Sequence, residues 1–348
     1  MDISDSIKHI RPIRTQKRGN EYFKWLVLAL VAIGCSAKGQ TVQGGQYYAG
    51  TTFYQPVTIQ GIGLTQFYHC VFWLSTGNEL TVGQYQSVYC YECTFLQGPV
   101  PAYGQQAAQG ISAENAYRLW VYGCTFDGLA RDIYSDGNWC LCDTWIDGNN
   151  FWHQNLKFSD GAGGWLNSSG WGPAVSIANT RGWNPSDGSW HTIVANNTFF
   201  NELGIDEPSD QINLYESSGV LVLNNDIYGA KGLYGAYAQR ANGIVTDDLW
   251  SDAYGNDGDP GESGWTTYEC VISGNHCFNA CIALWAGYSN TVQSNVISNT
   301  NRTLIPYGIA RYIPEGTGWA STNVVQGNLA SNYANQAGPI NWTGNKEF

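Results

Sequence analysis

"SGVLVLNNDIYG" (residues 218–229) runs three alternating aliphatics into two consecutive asparagines and then resumes with Asp-Ile-Tyr. Asparagine is a poor strand residue, so a strand that meets a pair of them must end there. The same shape returns as "TIVANNTFFN" (192–201), "CVISGNHCFN" (270–279) and "NTVQSNVISN" (290–299). Its kernel has four residues: any residue, Asn or Cys, any residue, then an apolar one. Nine copies follow one another, with the second position at Cys70, Cys93, Cys124, Asn149, Asn197, Asn225, Asn275, Asn295 and Asn328. The spacings of 23, 31, 25, 48, 28, 50, 20 and 33 residues are those of a solenoid, one short unit stacked on the next.

Between kernels sits a second strand signal, an apolar-x-apolar triplet: "ISA" (111–113), "VSI" (175–177), "INL" (212–214), "IVT" (244–246), "IAL" (282–284) and "IAR" (309–311). Two or three short strands per repeat, with no helical period between them, describe one coil of a parallel β-helix. Stacked coils lie about 4.8 Å apart. Asparagines in one column can then hydrogen-bond along the axis as amide ladders do, and Asn tolerates the left-handed backbone of a tight bend. Composition agrees: 42 Gly, 15 Trp and 22 Tyr with 13% charged residues belong to an all-β, turn-rich chain.

On the nine kernels and the run "DQINLYESSGVLVLNNDIYG" (210–229) followed by "GIVTDD" (243–248), the chain from about 50 to 345 resembles the right-handed parallel β-helix superfamily. The resemblance is closest to pectate-lyase-like and NosD-like repeat proteins. It implies a single-stranded, right-handed parallel β-helix of about nine coils over residues 39–348, with loop insertions near 152–192 and 230–268. The handedness follows from the resemblance alone.

Residues 1–38 read as a targeting segment. "RPIRTQKRGN" (11–20) precedes the eleven-residue apolar run "WLVLALVAIGC" (25–35), too short to span a bilayer and of signal-peptide length. "AIGC" also resembles a lipoprotein cleavage site, which would place a lipid anchor on Cys35. The expected location is secreted, periplasmic or cell-surface, with no transmembrane segment in the mature protein. Residues 1–38 hold seven of the 16 Lys and Arg and three of the 28 acids, which leaves 9 against 25 and a formal charge of −16 for the remainder. Such a body disfavours nucleic acid and repels polyanions unless a cation bridges them.

Cys70, Cys93 and Cys124 fall in the ladder column and read as small core residues. The remaining cysteines and the scattered histidines 69, 153, 191 and 276 lack the paired spacing of a zinc site. Function is expected on the two insertions, which hold Trp165, Trp171, Trp183 and Trp190, and then Trp250, Tyr254 and Trp265. Aromatic rings flanked by Asp and Asn suit sugars, and they equally suit loops that fold back on the rod.

Strand alternation sends Ile212 and Leu214 inward, and Asn213 and Tyr215 outward. The same register aligns Glu114, Ala178, Tyr215, Asp247 and Trp285, with Glu216 and Asp248 at the strand end and Asp206, Glu207 and Asp210 just upstream. This acidic cleft carries three readings. Asp210 with Asp247 or Asp248, and Glu216 beside them, would hydrolyse a glycosidic bond. Asp206 and Glu207 would hold Ca²⁺. Calcium-assisted elimination would need a basic residue, for which Lys157, Lys231, Arg240 and Arg311 are the candidates. "EPSD" (207–210) has the spacing of the D-P-H-D motif of alginate C5-epimerases but lacks its first Asp and its His. Tyr215, Trp285, Trp250, Trp183 and Arg311 would bind the substrate, a polysaccharide or other glycan. The competing expectation is a non-catalytic extracellular module that holds a glycan or serves in adhesion.

Overall fold

The computed structural model describes residues 39–138, 141–169, 172–202, 210–229, 242–247, 267–284, 287, 289–298, 309–311, 323–330, 333–335 and 341–347. These form three parallel sheets of eleven strands each, in strict rotation. Sheet 1 begins with Gln40–Gln43, sheet 2 with Tyr47–Ala49 and sheet 3 with Thr52–Phe53, and the next coil returns to sheet 1 at Val57–Gln60. The chain is therefore a parallel β-helix, and strand-to-strand crossovers of this kind are right-handed as a rule. Among the described residues there is no helix long and apolar enough to cross a membrane. The expectations for residues 1–38 lie outside the described residues.

The described residues make eleven coils, against the expected nine or so. The first turns at Gly50–Thr51 and the last at Gly344–Asn345. Thr51 stands where the kernel has Asn or Cys, and Glu347 where it has an apolar residue, so neither coil matches the pattern.

The asparagines stand at the corner between sheets 2 and 3. In all eleven coils this corner is two residues long, as at Asn224–Asn225 between Val220–Leu223 and Asp226–Tyr228. The left-handed residue is the first of the pair: Asn224 (φ 53°), Asn196 (55°), Glu92 (49°), His69 (52°), Ser294 (55°), and glycine at the other six corners. Bend and ladder are thus divided between two residues, whereas the sequence suggested one asparagine for both. The second residue is buried. Oδ1 of Asn225 accepts from the Asn197 backbone N–H (3.0 Å) and Nδ2 (2.9 Å). Its own Nδ2 donates to Val194 O (3.0 Å) and Asn275 Oδ1 (2.9 Å). The ladder runs on through Asn295 and Asn328 to Asn345. Toward the other end thiols replace amides: the Cys124 N–H donates to Asn149 Oδ1 (2.8 Å) and the Cys93 N–H to Cys124 Sγ (3.3 Å). All eight described cysteines are buried, and burial pushes Cys90 and Cys124 well above the ordinary range.

The core follows from in-register alternation. Sheet 1 contributes Ile111, Ile133, Val175, Ile212, Ile244 and Ile282, each paired with the next. The apolar kernel position forms a stack of parallel rings, Phe53, Phe72, Phe95, Phe126, Phe151 and Phe199, with centroids 4.5 to 5.0 Å apart. Each fully buried ring contributes about 2 to 3 kcal/mol over an exposed one.

Candidate functional site

The constant corner between sheets 2 and 3 leaves all variation to the other two, and both of these flank sheet 1. Sheet 3 to sheet 1 takes from 2 to 22 residues, and sheet 1 to sheet 2 from 3 to 23. The expected first insertion is therefore two loops on opposite edges of one sheet 1 strand, Val175–Ala178. Each closes on itself through an antiparallel pair, Lys157–Ser159 with Trp165–Ser169 and Trp183–Asn184 with Ser189–Trp190.

Between these edges lies a floor of outward-pointing residues that are nonetheless covered: Ser112, Ser176, Asn213, Val245 and Ala283 are all buried. Asn213 is 1% exposed, and neither atom of its amide has a hydrogen-bond partner. An unsatisfied buried polar group of this kind costs about 1 to 3 kcal/mol.

The strand Arg131–Asp136 concentrates chemistry on this face. The Arg131 guanidinium stands 4.9 Å over the Tyr134 ring, and burial holds Arg131 below its ordinary range. The Tyr134 hydroxyl donates to Asp136 Oδ2 (3.0 Å), which also accepts from Asn179 Nδ2 (3.2 Å), while Oδ1 accepts from the Asn138 N–H (2.9 Å). Burial, and then the Asp136 charge, push Tyr134 up to about 12. Asp136 is the register partner of the exposed Glu114 on the preceding coil. Neighbouring strands lie about 4.8 Å apart, close to the carboxyl separation of about 5 to 5.5 Å at which a glycosidase works by double displacement.

Asp136 and Tyr134 were missed in the sequence. "RDIYSD" (131–136) has Ser135 where the apolar-x-apolar triplet needs its second apolar residue, so that strand carried no signal. The column expected to hold Glu114, Ala178, Tyr215 and Asp247 is present, with Asp136 between Glu114 and Ala178.

The register does not bring Asp210 to Asp247. Asp210 pairs with Asn242, and Asp247 with Tyr215, at opposite ends of a six-residue strand pair. At about 3.3 Å per residue their Cα atoms stand about 17 Å apart, and the carboxyl groups of a glycosidase need to be within about 9.5 Å. Asp210 is buried where the strand begins. Glu216 is buried in the corner after Tyr215, with φ of 44°, and Tyr215 is half-buried. Arg311 is registered with Leu284, in the column of Leu214 rather than that of Tyr215. The Trp183 ring meets that of Trp190 at 4.9 Å with planes tilted by 51°, and the Trp183 backbone lies against Gly219 of the following coil. Trp165 packs against Ala107, Ala130 and Leu156. Both rings fit loops that fold back on the rod. Asp206, Glu207, Asp248, Trp250 and Trp285 lie outside the described residues, as do Lys231 and Arg240. Among the described residues, no three His, Cys, Asp or Glu side chains gather as a metal site.

No family model matches the sequence, and no curated protein matches it. Among solved structures, the chain is similar to the Dettilon tailspike protein gp208, with a TM-score of 0.48 and 12% identity over 88% of this chain. It spans 60% of the tailspike's length. It is also similar to the periplasmic alginate epimerase AlgG, with a TM-score of 0.40 and 10% identity over 88% of this chain and 76% of that one. A third likeness is to the Streptococcus pneumoniae surface protein and adhesin PfbA, with a TM-score of 0.34 and 12% identity over 86% of this chain and 88% of that one.

Proposed function

We propose that this is an exported carbohydrate-active protein that binds a polysaccharide along the outer face of sheet 1 and hydrolyses it at Glu114 and Asp136. The observation that carries this reading is the outward carboxylate column of that face. It is bracketed by both variable corners, and along its edge the exposed Glu114 is the register partner of Asp136, beside Tyr134. Asp136, held by three donors, is oriented to act as nucleophile, and the exposed Glu114 to protonate the leaving oxygen and then activate water. Tyr134 fixes the Asp136 carboxylate, and its hydroxyl stays protonated at neutral pH. With the Cα atoms of Asp210 and Asp247 about 17 Å apart, the register-paired Glu114 and Asp136 support this reading better.

The test is the release of reducing ends from a panel of neutral and acidic polysaccharides, with and without Ca²⁺. Asp136→Asn and Glu114→Gln should each lower kcat by about 10³-fold or more and leave glycan binding intact. Binding without product from any glycan would reduce the protein to the non-catalytic module, and absence of both would sink the reading. Product released only with Ca²⁺ and only from uronates would replace hydrolysis by elimination.

A further inference from the structure

Sheet 3 carries a second surface, which the sheet 1 face does not use. Trp152, Phe200, Tyr228 and Phe278 are register partners on four successive coils. They are 38%, 40%, 43% and 40% exposed. Ring centroids are 6.3 Å apart between Phe200 and Tyr228 and 6.2 Å between Tyr228 and Phe278, with planes tilted by 54° and 52°. Two residues upstream on the same strands runs a polar column, Asn150, Thr198, Asp226 and His276. Residues two apart on a strand share a face, so the two columns lie side by side.

We propose that this pair of columns is a glycan-stacking surface for an uncharged polysaccharide, separate from sheet 1 and independent of cleavage there. Ring faces take the C–H faces of sugars, and the adjacent polar column offers hydrogen bonds to their hydroxyls. Four rings exposed by about 40% present roughly 300 Å² of aromatic surface. That is well under the ~800 Å² per partner of a stable protein interface, so a narrow ligand fits and a second copy of this chain does not. The stripe is about 14 Å long, three coil spacings, the scale of a short run of sugar rings. Its charge excludes polyanions. Neither column contains Lys or Arg, Asp226 faces His276 at 3.2 Å, and Asp127 faces His153 at 2.8 Å beside the start of the stripe.

The experiment is affinity electrophoresis of the full chain in gels containing mixed-linkage β-glucan, xylan or galactomannan, with alginate as the anionic probe. The variants are Tyr228→Ser and the triple Phe200→Ser/Tyr228→Ser/Phe278→Ser, all at exposed positions, with folding checked by thermal unfolding. Retardation by at least one neutral polysaccharide, weakened about tenfold in the single variant and further in the triple, is the expected result. The triple variant should still release reducing ends from a short soluble oligosaccharide at the unaltered rate, which separates this surface from the sheet 1 site. Three results would overturn the proposal: a triple variant retarded like the unaltered protein in every neutral gel, retardation by alginate alone, or a concentration-dependent dimer that the triple variant abolishes.

Discussion

The two asparagines of "NNDIYG" do different physical work, and only one of them had to be an asparagine. Asn224 supplies a left-handed backbone that Gly, Ser, His and Glu supply elsewhere in its column. Asn225 supplies two donors and a doubly accepting oxygen, all used and all buried. Asn225→Leu leaves the Asn197 N–H and Nδ2, the Val194 carbonyl and the Asn275 oxygen each short of a bond. A loss of about 2 to 4 kcal/mol is expected from denaturant midpoints, against less than about 1 kcal/mol for Asn224→Gly, since glycine already stands at six of these corners. The ladder was legible in the sequence because stacking demands the same side chain at each level. The bend was not, because a positive φ leaves no common side chain to recognise.

Among strands, alternation and register were legible wherever an apolar triplet marked the inward face, and they correctly aligned Glu114, Ala178, Tyr215 and Asp247. They failed at Arg131–Asp136, where an inward serine broke the pattern and hid Asp136. Asp210 was misplaced for a different reason: being near in sequence to a strand end says nothing about which end. The beginnings of the sheet 1 strands hide a further pair. Glu79 and Asp132, buried on either side of Gly110, each leave one oxygen without a partner. Burial raises both well above the carboxylate range, and for Glu79 the Asp132 charge adds to it. A carboxyl group whose folded pKa is raised gives its full stability below the unfolded value of about 4 and loses it as pH rises toward the folded value. Stability should therefore fall as pH rises above about 4.5, and Glu79→Gln/Asp132→Asn should flatten that fall. Urea midpoints of the two proteins across that range are the measurement, and parallel curves would refute the assignment.

For the molecule as a whole, the energy is distributed coil by coil, so a whole coil should be removable without disturbing its neighbours. Residues 276–295 begin after one ladder asparagine and end on the next, and their loss would bring Val296 into the place of His276. This deletion should fold with one cooperative transition at a lower midpoint and keep the Glu114–Asp136 site. Deleting only residues 276–293 should not fold, because the ladder residue would be displaced; circular dichroism and thermal melts distinguish the two. The repeat made this architecture legible, but the surface function was not, because binding faces are set by loops whose lengths carry no period. The two-residue corner also governs how such a chain can diversify. Residues gained or lost at the edges of sheet 1 alter what that sheet meets and leave the ladder and the phenylalanine stack untouched. The opposite corner tolerates none, so descendants of this sequence should differ in loop length along one face and keep the same spine.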